Sequence, residues 1–291
     1  MEDLYLFNTV EGVGPELTYI EPRKGPVKLE DVGLTLVHPF YNEPERFLRQ
    51  LEVWRGWSDY VRDRVRIVVI DDGSPNPVHT YIDDRADALL AGLNFSIHRI
   101  TKDLKWNTPG ALNLGLHMAP TDWVLIMDSD CAFTNGHMKV LLGADPEPFA
   151  VYKFPRERQG RDRSENLKNK RFLPCTMLFH RSVFEGRLGG FDEDYTGEYS
   201  GGYAFFDTDF DERAFGQKDR SPMFIWNSVT ATEWMPSLAG YEIVARTSAD
   251  ERKNRELLSL KRVARRKYQS VRNPSPILRF EWETTYSRSR P

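Results

Sequence analysis

The sequence predicts an α/β fold, a doubly wound and mostly parallel sheet, and two observations carry that expectation. Short apolar runs of strand length alternate with stretches of helical periodicity, and acidic turn sequences stand where the carboxyl ends of two of those runs should be. In such sheets ligands lie beyond the carboxyl ends of the strands. The chain shows no internal repeat and no low-complexity tract that would favour a solenoid or a linker.

Leu34–His38 is a short apolar run ending at Pro39, and Phe47, Leu51 and Trp54 follow on one helical face, which gives strand, loop and helix. Val65–Ile70 reads as a second, more buried strand that stops at the turn sequence Asp71-Asp72-Gly73-Ser74-Pro75. Phe95–Ile100 alternates as a third strand. Thr108 then reads as an N-cap, with Pro109 opening a helix that runs to about Met118. Trp123–Met127 is a fourth strand, ended by Asp128-Ser129-Asp130. Further on, strands are expected at Phe149–Phe154 and near Thr176–His180, separated by a charged loop, 156–171, that suits a flexible lid. A helix is expected to begin near Thr208. Ser248-Ala-Asp-Glu251 has capping-box form, with Leu257, Leu260, Ala264, Tyr268 and Val271 following at helical spacing.

At 291 residues and 40% hydrophobic content, the chain is long enough for one large domain with an appendage. The net charge of −3 conceals an asymmetry: from Arg246 onward there are 13 Lys/Arg against 5 Asp/Glu, and before it 27 against 38. An acidic body suits a divalent cation, and a cationic tail suits phosphates of lipid head groups or of nucleic acid. The tail charges also fit a solvated helix face. Two cysteines, Cys131 and Cys175, cannot make a disulfide framework or a complete thiolate zinc site. No run approaches a membrane span, and Met1-Glu2-Asp3 does not resemble the start of a signal peptide, so the expectation is a cytoplasmic protein, peripheral to a membrane at most.

Asp128 and Asp130, separated by one residue after a buried strand, suit Mg²⁺ or Mn²⁺ held against a diphosphate. An isolated Asp-x-Asp is more often an acidic turn in which the second Asp caps a helix. A carboxylate of Asp71 or Asp72 can accept the imide N–H of uracil or bond ribose hydroxyls, although the same pair is commonly an Asx turn. In the loop Pro39-Phe-Tyr-Asn-Glu43, Tyr41 can stack on a base while main-chain groups bond it. Lys102, Lys105, Arg156 and Arg158 are candidate partners for diphosphate oxygens, Lys105 first among them; charged loop residues are otherwise simply solvated.

The order of these motifs resembles the family 2 glycosyltransferases of the GT-A fold. The family's P-x-Y-N-E appears as Pro39–Glu43, its D-D-G-S as Asp71–Ser74, its N-x-G-x-x-x-A-x-N-x-G region approximately as Asn107–Gly115, and its metal motif as Asp128-x-Asp130. In the second half, Gly189–Glu193 looks like G-G-F-D-E, and Asp207–Arg213 looks like the start of its E-D-x-D-L-x-x-R helix. The resemblance covers about residues 32–235. It implies a Rossmann-like GT-A domain over 32–245, with a nucleotide-sugar half (32–145) and an acceptor half (146–245). An irregular arm (1–31) precedes the domain and a basic helical extension (246–291) follows it.

The resemblance also implies roles. Pro39, Tyr41, Glu43, Asp71, Asp72, Lys105, Asn107, Gly110, Asn113, Asp128 and Ser129 would bind the nucleotide sugar, and Asp128 and Asp130 the metal. Asp207 would be the general base, with Asp209 in reserve. By residue type alone, Glu198 suits acceptor hydroxyls, and Tyr203 and Trp234 suit stacking on a sugar ring or ordinary core packing. An acid-rich helix N-terminus accounts equally well for Asp207 and Asp209. Phe206 replaces the Glu that normally precedes the base, and no histidine after His180 supplies a third metal ligand. The absence of Q-x-x-R-W points to single-sugar transfer. The implied reaction is metal-dependent, inverting transfer from a nucleotide-diphosphate sugar, UDP being the expected nucleotide, to a hydroxyl of a glycan or lipid-linked saccharide. A protein, a hydroxylated DNA base, or a catalytically silent sugar-binding role are the alternatives.

Overall fold

The structure, a computed structural model, describes residues 28–158, 172–215, 223–225, 231–233, 248–268, 270, 272–273 and 275–289. A short helix, α1 (Leu29–Val32), leads into β1 (Leu34–Phe40), α2 (Pro44–Arg55), α3 (Asp59–Arg64) and β2 (Val65–Asp71). After α4 (Ala86–Leu89) come β3 (Asn94–Ile100), α5 (Thr108–His117), β4 (Trp123–Ile126), β5 (Cys131–Ala132) and α6 (Asn135–Leu142). The second half comprises β6 (Val151–Arg158), β7 (Phe172–His180), α7 (Gly197–Ser200), α8 (Phe206–Phe215), β8 (Met223–Ile225) and β9 (Ala231–Glu233). It ends in α9 (Ser248–Tyr268) and β10 (Trp282–Arg288).

One ten-stranded sheet runs β10-β3-β2-β1-β4-β7-β6-β9-β5, with β8 also paired to β6. β3, β2, β1 and β4 are mutually parallel, and five of the nine pairings among the described residues are parallel. This is the architecture expected from the alternation of strands and helices. β1 and β2 are buried along nearly their whole length because helices cover both faces of the sheet. Phe47, Leu51 and Trp54 of α2 fill one face with no exposure, as their spacing requires. On the other face α5 lies so close that a Cβ on Gly115 would overlap Val37 Cγ1.

Two expectations are corrected. The helix N-cap is Asn107 rather than Thr108, which is the first helical residue. The tail is not purely helical: β10 pairs antiparallel with β3 and closes one edge of the sheet. The tail helix α9 meets the body through a largely polar face. Asn254 and Leu258 are buried and Lys261 and Arg265 nearly so, whereas Leu260 and Tyr268 stand 69% and 70% exposed. Val271, Trp234, the arm before residue 28 and most of the 156–171 loop lie outside the described residues. Both cysteines are free thiols. No described helix is long and apolar enough to cross a membrane.

Candidate active site

The parallel register brings the carboxyl ends of β1, β2 and β4 together, since Phe40 pairs with Asp71 and Val37 with Ile126. The loops that follow are tied to one another. The Asp72 N–H donates to Phe40 O (2.9 Å), the Asn42 N–H donates to Ser74 Oγ (3.0 Å), and the Ser129 hydroxyl donates to Glu43 Oε2 (2.8 Å). Arg46 Nη1 donates to both Glu43 oxygens, at 3.0 and 3.1 Å. Gly73, at φ 72°, lets the β2 loop touch the β3 loop, where any Cβ would lie 2.6 Å from Lys102 O. These loops wall a cleft of about 700 Å³ whose lining includes Tyr41, Asp72, Asp103, Asp128 and Asp130. The two acidic loops therefore sit side by side. Asn42 and Trp106 also line the cleft, and both hold the left-handed conformation at φ 49°. Asn adopts that conformation readily, whereas a bulky residue such as Trp106 keeps it only where its surroundings enforce it.

Asp71 and Asp72 have different occupations. Asp71 is fully buried; it accepts from the N–H groups of Ser74 and Val78 and pairs with Arg99, each at 2.8 Å. It forms the Asx-type turn and does not line the cleft, so the structure takes it out of the nucleotide-binding set. That leaves Asp72 on the cleft wall, 6% exposed, accepting one bond from Asn107 Nδ2 at 2.9 Å. Burial pushes its carboxyl well above the ordinary carboxylate range, against the effect of that bond.

The Asp128-Ser129-Asp130 turn does not cap the following helix; Thr134 does, its hydroxyl accepting from the His137 N–H at 3.2 Å. Ligand atoms of Asp128, Asp130 and Cys131 lie within 4.8 Å of one another. Burial, then repulsion from Asp130 and Asp207, raises the Asp128 carboxyl to about 7. Crowded carboxylates with so few donors on them suit a hard divalent cation, whose charge relieves the repulsion that holds Asp128 up.

Beneath this turn lies a second acidic layer. Lys153 of β6 is fully buried and pairs with Asp211 of α8 at 2.8 Å, and its charge also acts on Asp128. Asp207 is partly exposed on the first turn of α8, with its Oδ1 accepting from the Thr208 N–H at 2.8 Å. It does not line the cleft, yet its field reaches Asp128. Asp209 is a correction. It is buried, pairs with Arg213 at 2.7 Å and with Arg265, and accepts from the Tyr195 hydroxyl at 3.2 Å. With three donors on it, two of them guanidinium groups, and no exposure, its carboxylate is committed to the fold rather than turned toward an acceptor hydroxyl.

The α5 residues prove to be positioning groups. Asn107 donates to Asp72 and accepts from the Thr196 hydroxyl at 3.1 Å, and a Cβ on Gly110 would collide with the Asn107 amide. Asn113 is buried and bonds both the N–H and the C=O of Phe191, as well as Glu193. Neither Gly110 nor Asn113 reaches the cleft, which corrects their assignment to nucleotide contact. Pro39, Glu43, Lys105, Ser129 and Glu198 do line it. Glu198 is paired with Lys102 at 3.0 Å, Lys105 lies over the Trp106 ring at 4.0 Å, and Tyr203 packs on Trp106 without reaching the cleft.

Sequence reasoning missed Asp103, Arg46 and Lys153. Asp103 accepts from the Tyr41 hydroxyl at 3.2 Å, and only its place just past a third parallel strand could have marked it. Lys153 sits in an apolar run with no local signal at all.

A strand-end carboxylate, a paired-Asp turn and an α5 that braces the first of them are the parts expected of one protein family. Residues 35–215, well over half the chain, match the sequence model described as glycosyl transferase family 2. The chain belongs to glycosyl transferase family 2. Among solved structures, this family 2 chain is similar to the mannosyltransferase PcManGT of Pyrobaculum calidifontis in complex with GDP-Man and Mn²⁺. The identity is 22%, the TM-score 0.53, and the match covers 75% of this chain and 62% of that one. It is similar also to TarS 1-349 of S. aureus, at 17% identity and TM-score 0.51, over 69% and 60% of the two chains. The complex of TarS 1-349 with UDP-GlcNAc matches at 14% identity and TM-score 0.53, over 79% and 66%. The fold is thus that of the GT-A glycosyltransferases, and the alignments span about three fifths of the first two of these structures. No curated protein sequence matches the family 2 chain.

Proposed function

We propose that the chain is a divalent-metal-dependent, inverting glycosyltransferase that moves a single sugar from a nucleoside diphosphate sugar, UDP being the expected nucleotide, to an acceptor hydroxyl. The observation that carries this reading is one cleft walled by both Asp72 and the Asp128–Asp130 turn, which suits a base and a diphosphate at the same time. Asp72 accepts the base's N–H, Tyr41 flanks the ring, and Asn107 keeps the Asp72 carboxylate aimed. Asp128 and Asp130 hold Mn²⁺ or Mg²⁺, with Cys131 at the edge of the same group. When bound, the cation supplies charge neutralisation for the departing diphosphate.

Asp207 is the general base of this reading, one turn from Asp211 and within electrostatic reach of Asp128. It takes the proton of the acceptor hydroxyl as that oxygen attacks the anomeric carbon from the side opposite the leaving group. Trp106 and Glu198, both on the cleft wall, fit an acceptor that presents a sugar ring, so a glycan or lipid-linked saccharide is the acceptor class.

Release of nucleotide from labelled UDP- and GDP-sugars, followed with and without Mn²⁺ and with a panel of saccharide acceptors, tests the proposal. Asp207→Asn is expected to lower transfer by roughly 10²–10⁴-fold while donor binding persists, and Asp130→Asn is expected to abolish turnover. Tight donor binding without turnover on any acceptor would instead assign the cleft to a silent binding role.

A further inference from the structure

The outward face of α9 has a composition that the folded chain does not use. Leu260, Val263 and Tyr268 are 69%, 57% and 70% exposed, and with Ala264 they follow one another along one side of the helix. Their three- and four-residue spacing makes a continuous apolar stripe. Arg255 pairs within α9, with Glu251, and Lys253 is bound to Gly201 O; the other cations of the helix divide into two sets. Lys261, Arg262 and Arg265 pair with Asp192, Asp194, Asp209 and Glu212 of the body. Arg252, Arg266 and Lys267 form no ion pair among the described residues and stand at the two ends of the stripe, which Glu256 interrupts.

We infer that α9 lies flat on an anionic lipid surface, with Leu260, Val263 and Tyr268 entering the interface and Arg252, Arg266 and Lys267 meeting lipid phosphates. An interfacial helix has this arrangement, an apolar centre with basic flanks whose long stems lie along the apolar surface and whose charges stay in water. Charge complementarity selects the occupant. A second copy docked on the same face would set cations against cations, and nucleic acid would gain nothing from exposed Leu260 and Val263. At 21 residues the helix is about 30 Å long. Its first turns are fixed beside the cleft, for Lys253 donates to Gly201 O, and Asn254 to Tyr195 O and Ala204 O, close to Glu198. A surface bound along α9 therefore runs past the acceptor side of the molecule.

Sedimentation of the full chain with vesicles of phosphatidylcholine alone, and of equal parts phosphatidylcholine and phosphatidylglycerol, tests this inference. The expected result is binding to the anionic vesicles roughly tenfold tighter, or more, than to the neutral ones. Leu260→Asp with Val263→Asp is expected to remove it, with no change in thermal midpoint or in metal-dependent hydrolysis of a nucleotide sugar. Arg266→Gln with Lys267→Gln should weaken it by about fivefold per charge at low salt. Three outcomes overturn it: no vesicle binding by the wild type; binding to duplex DNA and vesicles alike that the Asp pair leaves intact; or a dimer in sedimentation velocity that the Asp pair dissolves. None of them bears on whether the cleft turns over a donor.

Discussion

Asp71 and Asp72 show how adjacent, identical residues divide one task. Asp71 closes the turn with Arg99, Ser74 and Val78, and Asp72 is thereby left facing the cleft with Asn107 as its side-chain donor. Asn107→Ala removes that donor and leaves a buried carboxylate short of a partner, which costs about 1–3 kcal/mol. Nucleotide affinity is expected to fall roughly tenfold by calorimetry, with little change in metal affinity. Asp128 makes a second prediction. Its folded carboxyl stands near 7 against an ordinary value of 3.8, so the folded state holds a proton that the unfolded chain has released. The metal-free protein should thus lose stability as pH rises from about 4 to about 7, and added Mn²⁺ should recover it most at the upper end of that window, as thermal melts across pH would show. At this scale the sequence marks the chemistry and not the assignment. Asp-x-Asp and Asp-Asp stand out because carboxylates at strand ends are conspicuous. Which of Asp71 and Asp72 is free depends on Arg99, a residue of the neighbouring strand that no local pattern links to the turn.

The elements that position the cleft are β1, β2, β4 and α5, and all four were legible, because each is an apolar or periodic run bounded by a turn sequence. α5 does more than cover the sheet. It carries Asn107 to Asp72 at its start, pins the Phe191–Glu193 segment through Asn113, and meets β1 at Gly115 without room for a methyl group. Gly115→Ala forces helix and sheet apart. A cost of about 1–3 kcal/mol is expected as a lowered thermal midpoint, together with weaker nucleotide binding at a site more than two helical turns away. Preserved stability in that variant would mean that the Val37 contact is slack. What escaped the sequence at this scale is non-local. β10 is a strand because β3 offers it an open edge, and β5, β8 and β9 are two or three residues long and exist only through their pairings. The inward face of α9 is largely polar because its partners are acids, and helical spacing alone does not show which face the body takes up.

Across the whole molecule the separation of an acidic body from a basic tail is resolved largely by internal pairing. Glu193, whose carboxyl burial raises, accepts from Asn113 and from the N–H groups of Leu278 and Arg279. Burial opposes ionisation of Asp194 as well, yet hydrogen bonds from Lys261 and Ser275 hold its carboxyl down at about 2. The segment from Arg272 to Arg288 thus ties the Gly189–Glu193 region back to the β3 edge and joins the two halves of the domain. Two halves joined in this way hold one cleft in which a base and a cation-bound diphosphate share a single site, and this is the claim on which the functional reading depends. Titration calorimetry of UDP and GDP, with and without Mn²⁺, measures it most directly. Nucleotide and cation should each tighten the other's binding by the same factor; Asp130→Asn should abolish that coupling while nucleotide still binds, and Asp72→Asn should weaken nucleotide with or without metal. Nucleotide and cation that bind independently, with affinities unchanged by one another, would contradict the account.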